Sequence, residues 1–276
     1  MAGMKFSVLF AAGLPLVAPL SLSAAVKSGH AEAELIAGVS SYQSGKSFPV
    51  AVRLTVDPGW HTYWINPGIG GMPVKATWTL PEGWKAGELQ QPVPKRFMTG
   101  DLPGFGYEGE TVFLVDLTPP AGATGEAECK VKLAWLTCDD SACVPGDAEL
   151  SVKLAAGDGE PGTEAEVIAE AKKKIPVPIN LHFGVNEEKN QLTLSFIPKL
   201  VSSVDIDLTG VSAFPATPDT VDPGSPIKFE KTKGADSWVA TVKKSEYADG
   251  PVTLLDMVLA GGKFAQPLLV SWRAKK

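Results

Sequence analysis

Cys138 and Cys143 are the residues of this chain best suited to chemistry. They lie in WLTCDDSACVPG, residues 135–146, with four residues between them, and they are two of only three cysteines. Two thiols so placed can form a structural disulfide, share a metal ion, or exchange electrons with another thiol pair. A Cys138–Cys143 disulfide would close a six-residue loop, for which chain entropy gives about 2 kcal/mol. So small a gain modestly favours exchange, but on spacing alone exchange and staple stand level. Asp139 and Asp140 lie between the cysteines. Negative neighbours disfavour thiolate, which suits a disulfide attacked by a partner's thiolate better than a free attacking thiol. Trp135 and Leu136 read as the end of a buried strand. Pro145 and Gly146 are expected to impose a turn on the other side, leaving both sulfurs on a short exposed loop.

The remaining chemistry is sparse. His30, His61 and His182 are widely separated, with no HExxH and no paired CxxC motif. Cys138, Cys143 and His61 could converge on copper or zinc, since thiolate and imidazole suit those ions. A lone C-x4-C pair is a weak metal signal, so no metal and no cofactor is expected. No GxSxG motif marks a hydrolase. Cys129 shares strand parity with Val131, Leu133 and Trp135. That predicts a buried thiol acting as a small hydrophobe, the alternative being an intermolecular disulfide.

The elements that must position these residues are mostly strands. The chain has 276 residues, a length that favours two domains, with 28 Gly and 23 Pro, which favour turns over long helices. Phe48, Val50, Val52, Leu54 and Val56 alternate, as do Val74, Ala76, Trp78 and Leu80, marking strands with one buried face. PGWHTYWINPGIGGMP reads as a shaped loop whose Trp60, Tyr63 and Trp64 are anchors, with docking at the rim of the cysteine site as a lesser role. Residues 157–179 form a connector with one short helix, begun by a Thr163–Glu166 capping box and packing Ile168, Ala171 and Ile175. Strands resume in 180–276, through Leu192, Leu194 and Phe196. The expected fold is all-β: a sandwich over 26–156, the connector, and a second, smaller β-sandwich.

Residues 1–25 resemble a secretory signal: Lys5, an apolar middle, and Ser23–Ala24–Ala25 for cleavage. No later segment has the ~20 apolar residues needed to span a bilayer. An exported chain permits disulfides. The net charge of −6 argues against nucleic acid as a partner.

Three stretches taken together carry a resemblance: DPGWHTYWINPGIGGMP (57–73), GFGYEGETVFLV (104–115) and WLTCDDSACVPGDAELSVKL (135–154). In this order they resemble the periplasmic N-terminal domain of the DsbD thiol:disulfide interchange family and the related suppressor-of-copper-sensitivity B proteins. The match is strong over about residues 30–155. Beyond it only the layout agrees. The resemblance implies an immunoglobulin-like sandwich in which Cys138 and Cys143 alternate between disulfide and dithiol, with Cys143 attacked first. Partners would be thioredoxin-like redox proteins, periplasmic or membrane-tethered, and the processes served cytochrome c maturation or copper tolerance. Phe105 or Tyr107, in GFGYEG, would shield the disulfide. Trp60, His61, Tyr63, Trp64 and Trp135 would frame the site. One fewer residue separates the cysteines than in the DsbD domain. Full-length relatives add a membrane electron-transfer domain and a thioredoxin domain. Neither is found before Lys276, so the electron supplier is expected to be separate. The competing reading is a non-enzymatic module for copper or a protein partner, with a structural disulfide.

Overall fold

The computed structural model describes residues 24–197, 207–235 and 237–275. The first β unit holds β1 (Val26–Ser28), β2 (Ala31–Ala37), β3 (Ser41–Tyr42), β4 (Phe48–Val56), β5 (Thr62–Gly68), β6 (Lys75–Thr79), β7 (Lys85–Ala86), β8 (Lys95–Thr99), β9 (Leu102–Tyr107), β10 (Glu110–Thr118), β11 (Glu126–Cys138) and β12 (Cys143–Ala156). Helix α1 (Ala165–Lys172) follows. The second unit holds β13 (Val177–Pro178), β14 (Phe183–Glu188), β15 (Gln191–Phe196), β16 (Val211–Pro215), β17 (Glu230–Lys231), β18 (Trp238–Lys243), β19 (Leu254–Gly261) and β20 (Leu268–Arg273).

The described residues are all-β apart from α1. Sheet β1-β2-β4-β10-β7 and sheet β3-β12-β11-β6 enclose the first core, and a three-stranded sheet β5-β9-β8 adjoins them. The alternation is as the sequence predicts. Phe48, Val50, Val52, Leu54 and Val56 point inward from β4, and Cys129, Val131, Leu133 and Trp135 from β11. Such residues bury apolar area at about 25 cal/mol per Å², the main favourable term in folding. In the second unit, sheets β13-β20-β19-β16 and β14-β15-β18-β17 enclose Leu192, Leu194 and Phe196. Among the described residues no strand pairs across the two units. They are packed together nonetheless: Phe214 and Val258 of the second unit join the first core.

Helix α1 covers the outer face of the first sheet, packing Ile168 and Ala171 on Ile36, Ala51 and Leu114, with Ile175 partly buried beside them. That is why Ala51 and Leu114 break the alternation of their strands. The expected capping box is absent. The N-cap is Glu164 and makes no side-chain cap hydrogen bond. Instead its carboxylate accepts from Arg53 Nη2 at 2.6 Å, and Arg53 Nη1 also donates to Glu34. A half-buried, charge-assisted contact outcompetes a neutral cap.

Candidate functional site

Strands β11 and β12 form one long hairpin whose last pair is Cys138 opposite Cys143. The two are joined by a disulfide, with Cα atoms 4.1 Å apart. The pairing follows from backbone geometry. Cys138 N–H donates to His61 O at 3.0 Å, and His61 N–H donates to Cys138 O at 2.9 Å. Both backbone groups of Cys138 therefore face away from β12. Directly opposed residues that share no hydrogen bonds bring their side chains closest in an antiparallel ladder, which suits a short cross-link.

The four-residue connection is a tight, self-bonded turn. Asp139 N–H donates to Ala142 O at 3.0 Å. Asp139 Oδ1 accepts from Ser141 N–H at 2.8 Å, Ser141 Oγ–H at 2.8 Å and Ala142 N–H at 2.7 Å. These bonds, led by the backbone N–H groups of Ser141 and Ala142, hold its carboxyl below the usual aspartate range. Asp139 is thus first a turn-former.

Three expectations about this stretch need correction. Pro145 and Gly146 make no turn; they are paired in β12 with Leu136 and Trp135. Gly146 is required by the indole crossing it: a Cβ there would meet Trp135 Nε1 at 2.4 Å and Ser28 O at 2.8 Å. The sulfurs are not equally presented either, since Cys138 is 0% exposed whereas Cys143 lies open to solvent. Finally, Phe105 and Tyr107 are core side chains of β9 rather than a surface shield. Phe105 packs edge-on against Trp64 and Phe214. Tyr107 packs on Phe113, and its hydroxyl donates to Pro92 O at 2.8 Å. Neither could swing over the disulfide without unpacking the core.

The structure brings His61 and Tyr63 together beside the cysteines. His61 Nε2 lies 2.9 Å from Thr99 Oγ1 and 3.3 Å from the Tyr63 hydroxyl. Its ring is 4.0 Å from that of Phe97. Burial is the main influence on His61 and lowers its pKa, against the opposing pull of Glu108, Asp140 and Asp139. The imidazole is therefore neutral at pH 7 and turned toward hydroxyls. Among the described residues, no group of three His, Cys, Asp or Glu side chains is arranged to hold a metal ion. Trp60 stacks on His30 at 3.5 Å, and Trp64 is buried toward the second unit. Seven of the sixteen residues expected to form a loop are strand β5.

Sequence reasoning missed Phe97 and Thr99. A signal was available in the glycines flanking Phe105. A Cβ on Gly104 or Gly106 would come within 2.9 Å of the Phe97 ring, which lies across that face. Alternate glycines in a strand mark such a close approach.

Residues 32–155 match the family described as "Thiol:disulfide interchange protein DsbD, N-terminal". This part of the chain is therefore similar to the DsbD N-terminal domain. The matched segment carries the disulfide at its hairpin end. Over nearly the whole chain the fold resembles that of the N-terminal periplasmic domain of ScsB from Proteus mirabilis. The TM-score is 0.66 at 20% identity, covering 92% of this chain and 98% of that one. A conserved domain protein from Bacillus anthracis aligns with a TM-score of only 0.25 at 12% identity, over 90% of this chain and 83% of that one. No curated protein matches by sequence. Cys129, in the middle of β11, is a free and fully buried thiol whose pKa burial pushes up to about 11.

Proposed function

We propose that the chain is a periplasmic thiol–disulfide exchange module that takes electrons from a thioredoxin-like donor and passes them on through Cys138 and Cys143. The observation that carries this reading is the asymmetric disulfide, with Cys143 exposed and Cys138 buried, at the hairpin end of a DsbD-type domain. A donor thiolate attacks the Cys143 sulfur along the S–S axis. The S–S bond breaks, a mixed disulfide forms at Cys143, and Cys138 leaves as thiolate and takes up a proton. The donor's second thiol then attacks its own sulfur in the mixed disulfide. The donor is left oxidised, and Cys143 is released to be protonated in turn. The module gains two electrons and two protons, and the reverse sequence reduces a client disulfide. The reading of residues 1–25 as a signal peptide falls almost wholly outside the described residues. Among those described, no helix is long and apolar enough to cross a membrane.

The test is trapping in periplasmic extracts. Cys138→Ser keeps the attackable sulfur and removes the resolving one, so it should accumulate mixed disulfides with thioredoxin-like proteins. Cys143→Ser should accumulate far fewer. Trapping by neither variant, together with a reduction potential below about −300 mV, would return the pair to a structural role.

A further inference from the structure

The β5-β9-β8 sheet meets the disulfide region with one face and the second β unit with the other. On β8 these two contacts belong to consecutive residues, because side chains alternate across a strand. Phe97 and, two residues on, Thr99 hold the His61 ring. His61 holds Cys138 through two backbone hydrogen bonds. Arg96 projects the other way. Its guanidinium lies 4.8 Å from the Phe105 ring and 5.7 Å from the Phe214 ring. It donates to Pro223 O at 2.9 Å and Ala213 O at 3.3 Å, both in the second unit. On β5, Asn66 Nδ2 makes a parallel tie to Pro215 O at 2.8 Å.

Arg96 as a whole residue is exposed, yet burial lowers its pKa. Part of the side chain stays in water, while the guanidinium contacts two rings and two carbonyls. Among the described residues no carboxylate forms an ion pair with it. Even partial loss of water from a cation without an opposing charge carries a cost that an apolar side chain would avoid. A guanidinium adds direction: its planar fork fixes β8 relative to two carbonyls of the neighbouring unit.

We infer that Arg96 is a positioning residue for the disulfide: the second β unit fixes β8 through Arg96, and β8 fixes His61 against Cys138. The inference deepens the exchange reading and rests on it for its meaning. It gives the second unit, which carries no cysteine, a role as a brace for the site. Loosening the brace hydrates His61 and opens the inner side of the disulfide.

The experiment compares Arg96→Met with the full chain and with Arg273→Met, which breaks an ion pair to Asp256 inside the second unit. Two quantities are read: the second-order rate of disulfide reduction by dithiothreitol, and the NMR titration of the His61 ring, assigned with His61→Gln. In Arg96→Met the rate should rise by about threefold to tenfold, as loss of one or two charge-assisted hydrogen bonds favours local opening. The His61 titration should move up toward that of an ordinary histidine. Arg273→Met should leave both unchanged. A thermal midpoint that falls in Arg96→Met while both readouts stay fixed would overturn the inference. So would a faster rate without movement of His61, or equal changes in Arg273→Met. Should Arg96→Met fail to fold, Phe214→Leu tests the same link from the second unit, with the same outcomes expected. Both readouts are made on the isolated protein, so they can fail while trapping of partners succeeds, and the reverse.

Discussion

Cys129 and Cys138 lie on the same strand, and both are 0% exposed. They are nine positions apart, an odd number, so they point to opposite faces. Cys129 faces the space between the two sheets, among Val131, Leu133 and Trp135. Cys138 follows the parity of Lys130 and Lys132, a face that is open along most of β11 and closes only where His61 pairs beside it. One thiol is enclosed in apolar packing; the other is bonded to an exposed partner at the end of the ladder. Burial alone therefore does not distinguish an inert cysteine from half of a reactive disulfide. The face and the partner do.

The sharpest way to break this comparison is to remove each sulfur in turn. Cys143→Ser or Cys138→Ser should eliminate turnover of a dithiol substrate, whereas Cys129→Ser should retain it at the wild-type rate per folded molecule. Loss of exchange in Cys129→Ser, measured by stopped-flow reduction, would show that the core thiol takes part. Alkylation offers the next contrast. Native protein should resist modification at Cys129, and unfolding without reductant should expose one reactive thiol per chain. A folded protein that labels quickly at Cys129 would contradict its enclosure.

Stability effects are smaller and distinguish the same two environments. Cys129→Ser places an unpaired hydroxyl in the core and should cost about 1–3 kcal/mol in urea unfolding. Gly146→Ala pushes a methyl group into Trp135 and should cost a similar amount, about 1–3 kcal/mol, by overpacking. A neutral Gly146→Ala would mean that the indole can move aside. The smallest effect is that of pH. His61 has a folded pKa below its unfolded one. Between the two values the unfolded chain binds more protons, so stability rises with pH. The contribution of His61 is intact above the unfolded value of about 6.5 and is lost as the pH falls below it. Wild type should lose more stability than His61→Gln on acidification from about pH 7.5 to about pH 5.5, a difference in urea midpoints set by this one linkage. Equal losses would mean that the ring is already hydrated.

Much of the framework is visible in one dimension. Alternation in Phe48–Val56, Glu126–Cys138 and Gln191–Phe196 marks their strands, because a half-buried strand must repeat every two residues. The parity of Cys129 with Trp135 marks it as a core residue by the same rule. The cysteine pair is conspicuous because its members flank a short polar turn. Phe105 and Tyr107 show the limit of such reasoning. The family resemblance implies a cap loop here, yet the Phe97 ring lies across Gly104 and Gly106 and the aromatics face the core.

Period, parity and local turn chemistry are properties of neighbouring residues, so they can be read directly from the order of amino acids. They predict an all-β protein, a buried Cys129 and a candidate exchange pair at 138 and 143. The burial of Cys138 goes with the pairing of His61, 77 positions away in the chain, to its backbone. The tie from Arg96 to Ala213 and Pro223 is longer still and leaves no periodic trace. Tertiary packing decided both, because contacts between distant segments depend on where whole sheets come to rest, and no local repeat encodes that position.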